Sequence, residues 1–239
     1  MYDIKMQKTF LKFNNHSWQV YLRDQIDQSV FNEIFKFKEY RRAEEQIINA
    51  KNPILDVGSH IGLFSLYCRA LNEQAKIFAV EPEADNLKIL EQNIKENNLK
   101  NIEIVSAALS DKTGEGNLII SSDNHNHYLA DDFLDDSFAA VQAIKVFSLP
   151  DLLVQYQISK ISLLKMDIEG AEYKIFESLS FDDFLKIQAI IMEYHISSKN
   201  KDFKIIENKL RENKFSVEIF PSHFDRKMGF LWALNKTKQ

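Results

Sequence analysis

The chain has 239 residues, 45% of them hydrophobic and 27% charged, with a formal charge of -5. That balance belongs to an ordinary globular protein with a buried core, and the length suits one sizeable α/β domain with an appendage better than two full domains. The acidic balance argues against a surface built for phosphate backbones, so nucleic acid is not expected as a partner, and the single cysteine, Cys68, excludes an internal disulfide or a cysteine-based metal cage.

Met1 to Phe13 interleave Lys, Asp and Gln with single apolar residues, too broken a pattern for a signal peptide or a membrane span; a cytoplasmic location is expected. Alternation in Phe10 to Phe13 and Trp18 to Leu22, around Asn14 and Asn15, predicts a hairpin. Helices are expected near Val30 to Phe37 and Tyr40 to Ala50, closed by Pro53. Residues 1–50 are read as a small N-terminal cap and 51–239 as the main domain. Phe35 and Phe37 would pack the cap onto a sheet, while Arg41 or Arg42 could meet an anionic substrate.

From Pro53 onward, apolar runs at Ile54 to Val57, Ile77 to Val80, Ile102 to Val105, Ile161 to Met166 and Ala189 to Met192 alternate with helical stretches. This predicts a parallel sheet with crossover helices. Leu87, Leu90 and Ile94 form the expected apolar stripe of one such helix, with Pro82 at its first position. Ser121 to Ser137, acidic and containing His125 and His127, reads as a mobile loop. A helix near Phe203 to Asn213 then leads to Phe215 to Phe220 and Phe230 to Leu234, expected as an antiparallel pair. The whole is α/β, a doubly wound, mostly parallel sheet with an antiparallel C-terminal hairpin.

Ile54 to Val57 ends in Gly58-Ser59-His60-Ile61-Gly62 and opens onto a helix, Leu63 to Leu71. Glycine there lets the backbone bend tightly and lets a ligand approach without meeting a Cβ atom. Two glycines four apart do not make the three-glycine dinucleotide turn, which weakens a pyrophosphate reading. S-adenosylmethionine has no phosphate but carries an ammonium, a carboxylate, a sulfonium and a ribose. Asp56 beside the turn and Glu81 at the end of the second strand, held extended by Pro82, suit those groups. Ser59, His60 and Gly62 lie close to the cofactor by position, although the turn alone also fits an ordinary structural turn. Ala107 and its small neighbours leave room for an adenine, whose amino group Asp111 could meet.

The fourth strand ends in Asp167-Ile168-Glu169-Gly170-Ala171-Glu172, and the fifth in Glu193-Tyr194-His195. Clustered acids need hydrogen bonds, a cation or a raised pKa to be tolerated, and Lys165 can neutralise part of the charge. Glu172 fits a helix N-terminus as well as a functional role. If the two strands are neighbours, Asp167, Glu193 and His195 converge, with Glu169 at the border. His195 could act as general base toward a hydroxyl. The same three groups also suit a divalent metal such as Mg, Mn or Fe, and an edge-of-core histidine remains an alternative.

Leu55 to Gly62, Glu81-Pro82, Ala107 to Asp111 and above all Leu164-Lys165-Met166-Asp167-Ile168-Glu169-Gly170-Ala171-Glu172 resemble the FkbM family of methyltransferases, over about Asn52 to Glu193. The resemblance implies a Rossmann-like class I methyltransferase fold with a seven-stranded sheet, S-adenosylmethionine as cofactor, and O-methylation of sugar or polyketide hydroxyls. It implies that Gly58, Gly62 and Glu81 hold the cofactor and that Asp167 and Glu169 border the methyl-transfer site. The acceptor is read as a sugar, a nucleotide sugar or surface polysaccharide precursor. The rival classes are an NAD-dependent oxidoreductase, disfavoured by the missing third glycine and the absence of a Tyr-x-x-x-Lys pair, and a non-catalytic nucleotide-binding module. No pattern fixes an oligomeric state, a homodimer included.

Overall fold

A computed structural model describes residues 6–120, 128–129, 140–168, 170–195, 203–221 and 228–238, with the backbone alone for 128, 129, 140, 195 and 238. His125, His127 and Glu169 lie outside the described residues.

Strands β1 (Gln7–Phe13) and β2 (His16–Leu22) form the expected hairpin. Its turn places Asn14 and Asn15 at φ 47 and 66, in the left-handed region that asparagine tolerates. Helix α1 (Gln25–Phe31) begins earlier than the apolar pattern suggests, because Asp24 caps it, accepting from the backbone N–H of Ile26 and Asp27. A π-helical turn (Asn32–Phe37) continues it until Lys38, at φ 55, breaks the run; a 3₁₀ turn (Glu39–Ala43) and α2 (Glu44–Ile48) follow. Phe35 is buried as expected, whereas Phe37 is 57% exposed, so only one of the two rings packs inward.

Then come β3 (Ile54–Val57), α3 (Leu63–Leu71), β4 (Ile77–Glu81), α4 (Ala84–Glu96), β5 (Ile102–Ser106), β6 (Ala108–Ser110), β7 (Gly114–Ile120), β8 (Tyr128–Leu129), β9 (Ala140–Ser148) and α5 (Leu149–Gln155). The chain finishes with β10 (Leu163–Met166), α6 (Glu172–Ser178), α7 (Phe181–Phe184), β11 (Ala189–His195), α8 (Phe203–Glu212), β12 (Phe215–Pro221), β13 (Met228–Asn235) and a 3₁₀ turn (Lys236–Lys238). The main sheet has the order β12-β13-β11-β10-β3-β4-β5, with β13 antiparallel to both its neighbours and the rest parallel. Strand order reverses between β3 and β10, so the cleft beyond their carboxyl ends is where such a sheet binds ligands.

The strands are apolar throughout because both faces are covered. Leu55, Val57, Phe78, Val80, Leu164, Met166, Ile190 and Met192 join the core shared with α5, α6 and α8. Their alternate neighbours Ile54, Ile77, Leu163, Ala189 and Ile191 join the core shared with the hairpin, α2 and α3. Side-chain period 2 thus sends the apolar residues named here alternately to the two cores.

A second sheet, β6-β9-β7-β8, was not anticipated: β6, β7 and β9 flank the segment read as one loop and β8 lies within it, and Gly114 and Gly116 in β7 obscured the alternation. Helix α4 is capped by Glu83 and begins at Ala84, two residues later than the expected start at Pro82. Its fully buried face is Asn86, Ile89, Leu90 and Asn93, rotated from the apolar stripe by about one residue, with Leu87 and Ile94 half-buried. Asn93 can be buried because its amide is fully bonded. Asn93 Nδ2 donates to Ile61 O at 2.9 Å and Tyr21 O at 3.3 Å, and its Oδ1 accepts from Tyr21 N at 2.7 Å. One turn on, Asn97 exchanges bonds of 2.9 and 2.8 Å with Gln19 N and O.

Asn93→Ala therefore leaves a strand N–H and two carbonyls without their partner, and is expected to cost about 2–4 kcal/mol in urea unfolding. A loss below about 0.5 kcal/mol would show that the hairpin does not depend on this staple.

Candidate active site

A cavity of about 340 Å³ opens at the carboxyl ends of β3, β4, β10 and β11. Its walls include Val57, Gly58, Ser59, His60, Glu81, Pro82, Ala107, Asp167 and Glu193, residues singled out in the sequence. Lys165 of β10, expected to neutralise nearby acids, lines it too, but part of the wall was missed: Ile26, Ser29, Val30, Glu33, Ile34 and Tyr40 come from the N-terminal helices and turns, and Asn86 from α4. Sequence position gave no sign that residues some 25 positions before the glycine turn would face it. Helix starts near Asp24, however, are readable from capping chemistry alone.

The turn itself is held tightly. The N–H groups of Gly58 and Ser59 both donate to Val80 O at 3.0 Å, and Gly62 N donates to Ser59 O at 2.8 Å. Gly58 adopts φ 73, and a Cβ atom there would lie 1.9 Å from the carbonyl oxygen of Asp167. Only glycine lets β3 and the end of β10 approach so closely. Gly62, at φ 86, begins α3; a Cβ there would strike Leu90 at 2.3 Å, and the residue serves helix packing, away from the cavity wall.

Asp56 is also set back from the cavity. Fully buried, it accepts from Ser65 Oγ at 2.7 Å and lies 3.4 Å from Lys165 Nζ. Lys165 donates to Gly58 O at 2.7 Å and Val57 O at 3.3 Å, so an acid–base pair braces the turn from below. Asp167 Oδ2 lies 4.0 Å from the same ammonium.

Glu81 is 5% exposed. Its Oε2 accepts from His60 N at 2.8 Å, and its Oε1 from Glu83 N and Asn86 Nδ2, each at 3.0 Å. Burial raises its pKa against the opposing pull of these donors. Ser59 Oγ and Asn86 Oδ1, buried and lining the cavity, make no hydrogen bond within the protein. Buried polar atoms of this kind call for a polar ligand. With the glycine approach and the small Ala107 and Ala108, the cavity fits a nucleoside carrying polar substituents.

At the far end, the parallel register Met166↔Met192 brings Asp167 beside Glu193. The side chain of His195, which ends β11, lies outside the described residues, as does Glu169. Among the described residues, no group of three or more His, Cys, Asp or Glu is arranged to hold a metal ion. Tyr40 is 4% exposed, its ring packed between Phe64 and Phe230; burial, then Asp167 and Glu193, push its pKa well up, so it stays a phenol. Asp111 is exposed, accepts from Ser110 Oγ at 2.9 Å and is not part of the cavity wall. Glu172 accepts from Ile168 N at 3.0 Å, which ties down the loop before α6. Arg42 sits 3.5 Å from Glu218 and over the Phe220 ring, outside the cavity wall.

A family model described as the methyltransferase FkbM domain matches residues 56–217. The chain is 27% identical over 171 residues to methyltransferase sdnD of Sordaria araneosa, a match covering 59% of this chain and 66% of that protein. It is 26% identical over 167 residues to hexuronic acid methyltransferase AglP of Haloferax volcanii, covering 69% and 63%. The chain thus spans about two thirds of the length of these relatives. Among solved structures, methyltransferase FkbM from Methylobacillus flagellatus KT is similar in fold, with a TM-score of 0.54 at 16% identity over 76% of this chain and 43% of that one. Aeropyrum pernix fibrillarin in complex with S-adenosyl-L-methionine gives 0.53 at 10% identity over 95% and 82%. Both share the Rossmann-like methyltransferase fold.

Half-buried Glu39 offers a test of the acidic surroundings. Burial, then Glu33 and Asp167, raise its pKa to about 7. A raised carboxylate makes the folded state lose stability as pH rises from the ordinary carboxylate range through that value. Glu39→Gln is therefore expected to raise the denaturation midpoint at about pH 8 and to change it little at about pH 4.5. Equal differences at both pH values would show that Glu39 does not feel these charges.

Proposed function

Because the chain belongs to the FkbM methyltransferase family, we propose that it is an S-adenosylmethionine-dependent O-methyltransferase acting on a hydroxyl of a sugar. The observation that carries this reading is the placing of two acids, Asp167 and Glu193, at the ends of adjacent strands in the same cavity as Gly58 and Glu81. On this reading residues 51–239 carry the transferase and residues 1–50 cap it.

Gly58, Ser59 and His60 would receive the amino-acid end of the cofactor, Glu81 and Asn86 its ribose, and Ala107 its adenine. When bound, S-adenosylmethionine supplies an electrophilic methyl group on a sulfonium. The remaining tasks fall to the chain. Asp167 and Glu193 orient the acceptor hydroxyl, and His195, at the end of β11, takes its proton; a neutral imidazole suits that role near pH 7. Holding the hydroxyl in place removes much of the entropic cost of the encounter, and the N-terminal helices exclude water from above.

The hexuronic acid relative supports a sugar ring as acceptor. A nucleotide sugar or polysaccharide precursor of the cytoplasm fits if its neutral ring enters while its anionic part stays outside the acidic cavity. A divalent ion on Asp167, Glu193 and His195 is the second way to acidify the hydroxyl, and a chelator separates the two.

Calorimetry should show binding of S-adenosylmethionine and none of NAD or NADP; the reverse would end the transferase reading. Glu81→Ala is expected to weaken cofactor binding at least about tenfold. In a screen of nucleotide sugars, His195→Ala should cut turnover about 10²-fold or more at unchanged cofactor affinity, with or without chelator. Unchanged turnover would remove His195 from the mechanism.

A further inference from the structure

The cofactor turn is wired to the N-terminal helices through one histidine. Asp27, in the first turn of α1, is fully buried. It accepts from Arg23 three times: Oδ2 from the backbone N at 2.7 Å and from Nε at 3.0 Å, and Oδ1 from Nη2 at 3.0 Å. Burial disfavours the Asp27 charge, but the Arg23 bonds, together with the charges of His60 and Arg23, outweigh it and lower its pKa. The same Nη2 reaches His60 Nε2 at 2.7 Å.

A guanidinium can only donate, so Nε2 must be the acceptor and the ring proton must sit on Nδ1. Protonating Nε2 would set two donors 2.7 Å apart. Asp27 Oδ1, 3.2 Å from Nε2, would favour that proton, but it already accepts from Arg23 Nη2, which reaches both atoms. The other charges facing the ring are Lys165 and Asp167 from β10 and its end, and Glu81, which holds the His60 backbone. Burial, only partly offset by Asp27, brings His60 down to about 4. Among the described residues no group meets Nδ1, and His60 lines the cavity.

We propose that Arg23 is a positioning residue for cofactor binding: by donating to Nε2 it locks His60 in the neutral Nδ1–H form, and Nδ1–H donates to an acceptor oxygen of the bound cofactor. This rests on the S-adenosylmethionine reading above. It makes cofactor affinity independent of the titration of His60. Without Arg23, Asp27 draws the proton to Nε2, and Nδ1 turns an unprotonated lone pair toward the ligand.

The test is a calorimetric titration of the full chain with S-adenosylhomocysteine, whose uncharged sulfur removes sulfonium repulsion, from about pH 5.5 to 8.5. Arg23→Met should bind about tenfold more weakly than wild type at the high end and approach wild type at the low end, where a second ring proton restores Nδ1–H; the ratio of the two affinities cancels the titration of Glu39 and His195, which both proteins share. A ratio that is the same at both ends overturns the proposal. Wild type that binds neither S-adenosylhomocysteine nor S-adenosylmethionine overturns the cofactor reading along with it. Should Arg23→Met fail to fold, ring ¹⁵N NMR of the ligand-free wild type decides: Nδ1–H without titration over this range is expected, and an Nε2–H tautomer overturns the lock.

Discussion

The active end of this molecule depends on one buried ammonium. Lys165 occupies a position in β10 whose neighbours Leu163, Leu164 and Met166 are fully buried and apolar, and it is itself 4% exposed. Desolvating it is costly unless every proton finds an acceptor. The carbonyls of Val57 and Gly58 accept from it, and the Asp56 carboxylate, 3.4 Å away, supplies the counter-charge. A buried pair of this kind adds little net stability over an apolar core; it fixes geometry, because any displacement of the turn strands a charge. Lys165 thus sets the height of Gly58 against β10, and the 1.9 Å clearance that only a glycine satisfies follows from that setting.

Binding Lys165 beneath the turn also decides the electrostatics above it. With His60 neutral, the described cavity wall holds Glu33, Glu81, Asp167 and Glu193, and Lys165 as its basic residue. Such a site suits a ligand with positive charge at its reacting centre, and the pKa values of Glu81, Glu39 and Tyr40 are raised by burial first and then by neighbouring acids.

The sheet was legible because buried parallel strands leave uninterrupted apolar runs, and the glycine turn because its backbone demands are absolute. Contiguous motifs could be read; the same motifs did not tell that Asp56 lies away from the cavity, since alternate strand residues point to opposite faces, or that Gly62 serves the packing of α3 on Leu90. Glu172 and Asp111 looked functional for a similar reason: an acid near a ligand edge and one bonding a nearby backbone or hydroxyl group have the same sequence signature. The N-terminal wall escaped notice because Arg23, Asp27 and Tyr40 meet the site only through tertiary packing. In α4, reading apolarity alone misplaced the buried face, since asparagines whose amides are fully bonded behave as core residues.

The contact of α4 with β2 has a further consequence. Gln19 and Tyr21 lie two residues apart on the strand, a span of about 6.5–7 Å, while Asn93 and Asn97 lie four apart on the helix, a rise of about 6 Å. The two repeats are nearly commensurate, so two side-chain amides imitate the peptide groups of an adjoining strand. A helix thereby covers the β2 edge of the hairpin, and the backbone donors and acceptors of Gln19 and Tyr21 that could recruit a strand from another molecule are already spent.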